Sequence, residues 1–81
     1  MNVLQKEITI INKLGLHARA AAKLVQTASS FSCDIYVLYN NKKVSAKSIM
    51  GIMMLAAARG SKIEIITSGN DELEALAALE T

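Results

Sequence analysis

The sequence predicts an α+β fold in which three helices lie on one face of a four-stranded, mainly antiparallel sheet, in the order βαββαβα. Three observations predict it. Runs rich in β-branched residues alternate with alanine-rich segments whose apolar residues recur every three or four positions. Each helical segment carries one apolar stripe and the strands alternate, which calls for one covered sheet face. Asn40 and Asn41 stand between two β-rich runs and tolerate the positive dihedral angles of a tight hairpin. The 81 residues, 52% of them apolar, suffice for a single domain over residues 1–81 with one core.

Taken in order, Glu7 to Ile11 is rich in β-branched residues and predicts the first strand, and Asn12 to Leu16 supplies a loop with Gly15 as its flexible point. Ala18 to Ser29 favours helix, with Ala21, Val25 and Ala28 as a buried stripe. His17 therefore stands just before this helix or at its start. Asp34 to Tyr39 and Lys42 to Ser45 read as the two strands of the hairpin. Ser48 to Ala58 predicts a second helix capped by Ser48, with Arg59 and Gly60 supplying its end. Gly51 inside it lowers helix propensity by up to about 1 kcal/mol against alanine, which points to a close neighbour. Lys62 to Thr67 is the fourth strand, with Ile63 and Ile65 on one face. Ser68 to Asn70 turn the chain, and Asp71 to Leu79 form a last helix with an acidic first turn suited to the helix dipole.

Composition narrows the function. Three aromatic residues and a net charge of +2 without a basic block argue against nucleic acid as a partner. The longest apolar run, Ile49 to Ala58 around Gly51, is far short of the roughly 20 residues that span a bilayer, and the start of the chain shows no basic flank before an apolar core. A soluble, cytoplasmic protein is expected. The lone Cys33 cannot form an internal disulfide and reads as a structural thiol at a half-buried strand position. No metal cluster, nucleotide-binding glycine loop or flanked carboxylate pair is present, so the expectation is no metal, no cofactor and no catalysis unaided.

One residue stands out against that background. A lone histidine in apolar surroundings is usually structural, but the run Gly15-Leu16-His17-Ala18-Arg19 places an imidazole where the unpaired N–H groups of a first helical turn converge, and such groups bind anions. The amides of Ala18 and Arg19 are the candidate phosphate-binding backbone. Neutral imidazole is nucleophilic near physiological pH and forms an N–P bond that stays reactive enough to donate onward. Arg19 is either an ordinary solvated residue or a permanent charge for phosphate oxygens. Ser48 is by default a cap. The helix after it holds more apolar residues than one stripe requires, so its methionines are either all core or, for Met50 and Met53, an outward docking surface that adapts to several partners.

The segments Leu14-Gly15-Leu16-His17-Ala18-Arg19-Ala20 and Ala46-Lys47-Ser48-Ile49-Met50-Gly51 closely resemble the two signature regions of the HPr family, the histidine-containing phosphocarriers of the bacterial phosphoenolpyruvate-dependent phosphotransferase system. The similarity runs over essentially the whole chain, including Asn41-Lys42-Lys43-Val44 and the closing Glu74-Ala75-Leu76-Ala77-Ala78-Leu79. It implies an open-faced β-sandwich in which His17 accepts a phosphoryl group from phospho-Enzyme I and passes it to IIA domains, for sugar uptake, regulation or both. It also implies that Arg19 stabilises the phosphate. Ser48 falls on the serine that an HPr kinase/phosphorylase modifies in some lineages, and Ile49, Met50, Gly51 and Met53 fall on the partner-docking surface. A monomer without membrane insertion is expected. One departure is visible: the family's usual HARP reads HARA here, with Ala20 in place of proline in the first helical turn. Proline is tolerated there because the early N–H groups are unpaired, so alanine restores one donor and spares the fold. Two other readings compete, a regulatory binding module acting through Ser48 with His17 vestigial, and a ferredoxin-like nucleic-acid binder, the latter weakened by few aromatics and no basic stripe.

Overall fold

The computed structural model describes residues 3–11 and 15–79. Asn12 to Leu14, part of the expected loop and of the first signature segment, lie outside the described residues. The elements are β1 (Val3–Thr9), α1 (Ala18–Ser29), β2 (Asp34–Tyr39), β3 (Lys42–Ser45), α2 (Ile49–Met54), β4 (Lys62–Ser68) and α3 (Glu72–Leu79). The four strands form one sheet in the order β1-β4-β2-β3, antiparallel at every pairing. The predicted βαββαβα order and open sheet with three helices are what the chain adopts. α3 packs on β4 and β1, α1 contacts both other helices, and α2 meets β3.

The central strands alternate as a sheet covered on one face requires. Ile35 and Val37 of β2 and Ile63, Ile65 and Thr67 of β4 are buried, and they join Ala21, Ala28, Ile52, Leu55, Ala75 and Leu76 in one core. Ala21, Ala28 and Ala75 have no accessible surface, so the helices approach closely through small side chains, while Val25 is half-buried at the edge of the stripe. Thr67 is buried without loss because its hydroxyl donates to the Glu72 carbonyl at 3.0 Å. Asn40 and Asn41 hold φ of 53° and 66°, the paired positive values of the hairpin turn expected there.

Two elements differ from expectation by more than one residue. The first strand is Val3–Thr9 rather than Glu7 to Ile11. Its seven residues pair one to one with the seven of β4, from Val3 opposite Ser68 to Thr9 opposite Lys62, so the partner strand sets its span. Lys6 falls opposite the buried Ile65, between Leu4 and Ile8 on the inward row, and this breaks the apolar alternation that would have marked the strand. The second helix is Ile49–Met54 rather than Ser48 to Ala58. The chain leaves it at Ala56, whose φ is 53°, and Arg59 and Gly60 belong to a separate turn closed by Ser61 N–H donating to the Ala58 carbonyl at 3.0 Å. Tertiary contacts override alanine's helix propensity here, since the exit buries Leu55 and Ala57 and frees the Ala57 carbonyl for the loop before α1.

Asp71 lies just outside α3 and ties two distant segments together. Its carboxylate accepts from the Ser32 and Cys33 amides at 2.9 Å each, holding the entry to β2 against the start of α3. The Ser32 N–H above all holds the Asp71 carboxyl below its ordinary value of 3.8. Cys33 is buried in the bend before β2 rather than half-buried in a strand, and burial, with the neighbouring carboxylate, pushes its thiol up to about 11. Because the Asp71 value is depressed on folding, its contribution is complete above pH 3.8 and is lost as pH falls through the lower folded value. Asp71→Asn should therefore melt earlier than the parent near neutrality, with the gap closing in acid. Thermal melts across that range check it, and an unchanged gap at low pH would contradict the assignment.

Among the described residues no helix is long and apolar enough to cross a membrane, and no group of three or more histidine, cysteine or acidic residues is placed to hold a metal ion.

Candidate functional site

The start of α1 is built by the loop that precedes it. Gly15 takes φ of 70°, a conformation that strains any residue with a side chain, and a Cβ there would meet the Ala57 carbonyl oxygen at 2.5 Å and Ala58 Cα at 2.9 Å. That close contact lets the Leu16 N–H donate to the Ala57 carbonyl at 2.9 Å, with Leu16 buried in the core. The anchored loop delivers His17 in an extended conformation (φ −78°, ψ −179°) as the N-cap of α1, and its carbonyl accepts from the Ala21 amide at 2.8 Å.

The ring itself acts as the capping group. Nδ1 of the half-buried His17 accepts from the Ala20 N–H at 3.2 Å, in the place usually held by the oxygen of serine, threonine or aspartate. Neutral imidazole has one acceptor and one donor nitrogen, so Nε2 carries the proton. Ala18 and Arg19 head the helix, where no preceding turn offers a carbonyl to their amides, and the Arg19 side chain is exposed. An oxyanion attached to the ring therefore meets the positive end of a twelve-residue helix, with Arg19 two residues along.

The second region singled out in the sequence sits on the helix that α1 packs against. Ser48 is the N-cap of α2, half-buried, and its Oγ accepts from the Gly51 N–H at 3.1 Å. Lys47 reaches away from it to donate to the Phe31 carbonyl at 2.8 Å, joining α2 to the end of α1. A Cβ on Gly51 would lie 3.2 Å from Val44 Cβ, so β3 is the close neighbour that glycine admits. Ile52 turns into the core, while Ile49, Met50, Met53 and Met54 are exposed, Met50 to 69% and Met54 to 71%. Met54 was not singled out in the sequence, because a helix continuing to Ala58 gives no reason to separate it from its neighbours.

Sequence similarity agrees with this geometry. The family model described as the PTS HPr component phosphorylation site matches residues 4–81. The phosphocarrier protein HPr of Neisseria meningitidis serogroup A is 57% identical over 77 residues, covering 95% of this chain and 86% of that protein. The chain belongs to the HPr phosphocarrier family. Among solved structures, the HPr of Bacillus anthracis superposes with a TM-score of 0.92 at 50% identity, covering 96% of this chain and 93% of that one. An HPr dimer from Thermoanaerobacter tengcongensis matches with a TM-score of 0.75 at 57% identity over 89% of this chain and 83% of the other. Within this family frame the HARA segment acquires a physical meaning: the Ala20 amide that bonds His17 is a donor that proline at the same place would lack.

Proposed function

We propose that the protein carries a phosphoryl group on His17, taking it from phosphorylated Enzyme I and passing it to IIA domains of the phosphotransferase system. The observation that carries this reading is the His17 ring at the N-terminus of α1, with Nδ1 turned to the first-turn amides. In each transfer the donor's N–P bond breaks as the lone pair of the accepting imidazole forms a new one. The helix amides of Ala18 and Arg19 and the Arg19 guanidinium then face the phosphoryl oxygens, where charge-assisted hydrogen bonds are strongest. The protein is thus a substrate of the enzymes on either side of it rather than an enzyme.

Docking is assigned to the α2 surface, with Ile49, Met50 and Met53 exposed and Gly51 seating the helix on β3. Thioether side chains suit a surface that must accept Enzyme I and several IIA domains in turn. Ser48, at the start of that helix, is the regulatory position, open to an ATP-dependent HPr kinase/phosphorylase. A phosphate there would add about two negative charges beside the methionines and weaken partner binding by repulsion and desolvation. The reading places the protein in the cytoplasm as a monomer.

Incubation with phosphoenolpyruvate and Enzyme I should load one acid-labile, alkali-stable phosphate per chain, and a IIA domain should then discharge it. A phosphate stable to acid, or no loading, would remove the carrier reading.

A further inference from the structure

We infer that the Ala20 amide is a positioning group for phosphoryl transfer at His17, holding the imidazole as its Nε2–H tautomer and then turning to a phosphoryl oxygen. The inference rests on the carrier reading for its second step and on the observed hydrogen bond for its first. Ala20 is the third residue of α1, and its N–H closes on His17 Nδ1 at 3.2 Å while the next amide, that of Ala21, closes on the His17 carbonyl at 2.8 Å. Two bonds one residue apart therefore fix both the backbone and the ring of the same histidine. With Nδ1 as acceptor, the proton stands on Nε2, and the lone pair that attacks phosphorus is the one the Ala20 N–H holds toward the helix start until transfer displaces it.

The usual HARP motif has no donor at this place, because proline carries no backbone N–H. In this chain the ring is oriented before any partner arrives. During transfer the donor's bond to phosphorus breaks and the Nδ1–P bond forms from the Nδ1 lone pair, while the Nε2 proton stays where it is. The Ala20 N–H, released from Nδ1, then lies within reach of the new phosphoryl oxygens. A neutral N–H···N bond is exchanged for a charge-assisted N–H···O bond, roughly twice as strong. The exchange favours the phosphorylated protein.

The test uses Ala20→Pro, which removes the N–H, and Ala20→Gly, which removes only the methyl group. In the uniformly 15N-labelled parent protein, a scalar coupling through the hydrogen bond should connect Ala20 N with His17 Nδ1. It should persist in Ala20→Gly, vanish in Ala20→Pro and vanish on phosphorylation. The equilibrium of phosphoryl exchange with phosphorylated Enzyme I should move about three- to tenfold toward Enzyme I in Ala20→Pro and stay near the parent value in Ala20→Gly. Absence of the coupling in the parent protein overturns the proposal, as does an unchanged equilibrium in Ala20→Pro. Ala20→Gly behaving like Ala20→Pro overturns it as well, since glycine keeps the N–H. If no chain accepts phosphate, the carrier reading falls instead, and the coupling alone decides whether Ala20 holds the ring. Should Ala20→Pro not fold, the coupling and its loss on phosphorylation in the parent protein decide the matter.

Discussion

His17→Ala is expected to abolish loading from phospho-Enzyme I, leaving no acid-labile phosphate on the chain. The substitution removes two things at once, the nucleophile and the N-cap of α1, because Nδ1 of the same ring accepts from the Ala20 amide. Loss of a cap costs about 1 kcal/mol, which for a chain of this size lowers the melting temperature by about 4–8 °C. His17→Asn separates the two effects. Asparagine is a good N-cap, so its side-chain oxygen can accept from the first-turn amides and recover most of that loss, yet an amide has no lone pair nucleophilic enough to take phosphorus. Both variants should be unlabelled while only the alanine one melts early. Phosphate that remains acid-labile in either variant would place the carrier site elsewhere.

The largest stability effect is expected from Gly15→Ala. Two independent costs combine at this position. Alanine at φ of 70° is strained by about 1–2 kcal/mol. Its methyl group would also stand 2.5 Å from the Ala57 oxygen and 2.9 Å from Ala58 Cα, both backbone atoms that no side-chain rotation can move aside. The loop must lift, which endangers the Leu16 to Ala57 hydrogen bond and the burial of Leu16 beneath it. A loss of about 2–4 kcal/mol, or about 10–25 °C in melting temperature, follows from these contributions. Phosphoryl transfer should fall with it, because the lifted loop no longer holds His17 at the head of α1. Gly60→Ala is the control: φ there is 88°, but nothing lies within 4 Å of the added carbon, so only the backbone strain is felt. Equal melting temperatures for the two variants would show that the loop contact contributes nothing.

The same loop shows why part of the site is legible in the sequence. His17 at a helix start followed from local signals, a loop with a flexible glycine after a strand-like run and an alanine-rich segment with strong helix propensity behind it. Gly51 likewise announced a close neighbour through its cost to α2, and Val44 is that neighbour. The end of α2 was not legible. Met53, Met54, Leu55 and the alanines at 56 to 58 all favour helix, and nothing nearby in sequence tells Ala56 to adopt φ of 53°. The demand comes from Leu16, some forty residues earlier, whose amide needs the Ala57 carbonyl. Asp71 fits a dipole-favoured opening turn by its local sequence, and its carboxylate instead satisfies the amides of Ser32 and Cys33.

By itself the sequence determined the order of seven elements, the Asn40-Asn41 hairpin, the aliphatic core and the placing of His17 at or just before the start of α1. Each of these depends on propensities and periodicities that neighbouring residues set among themselves. Only the tertiary structure decided that β1 begins at Val3, that α2 stops at Met54 and that Asp71 fastens the entry to β2. These are matters of pairing between segments far apart in the chain. Buried or closely packed backbone groups must find hydrogen-bond partners wherever the fold supplies them, and local preference yields where the two conflict.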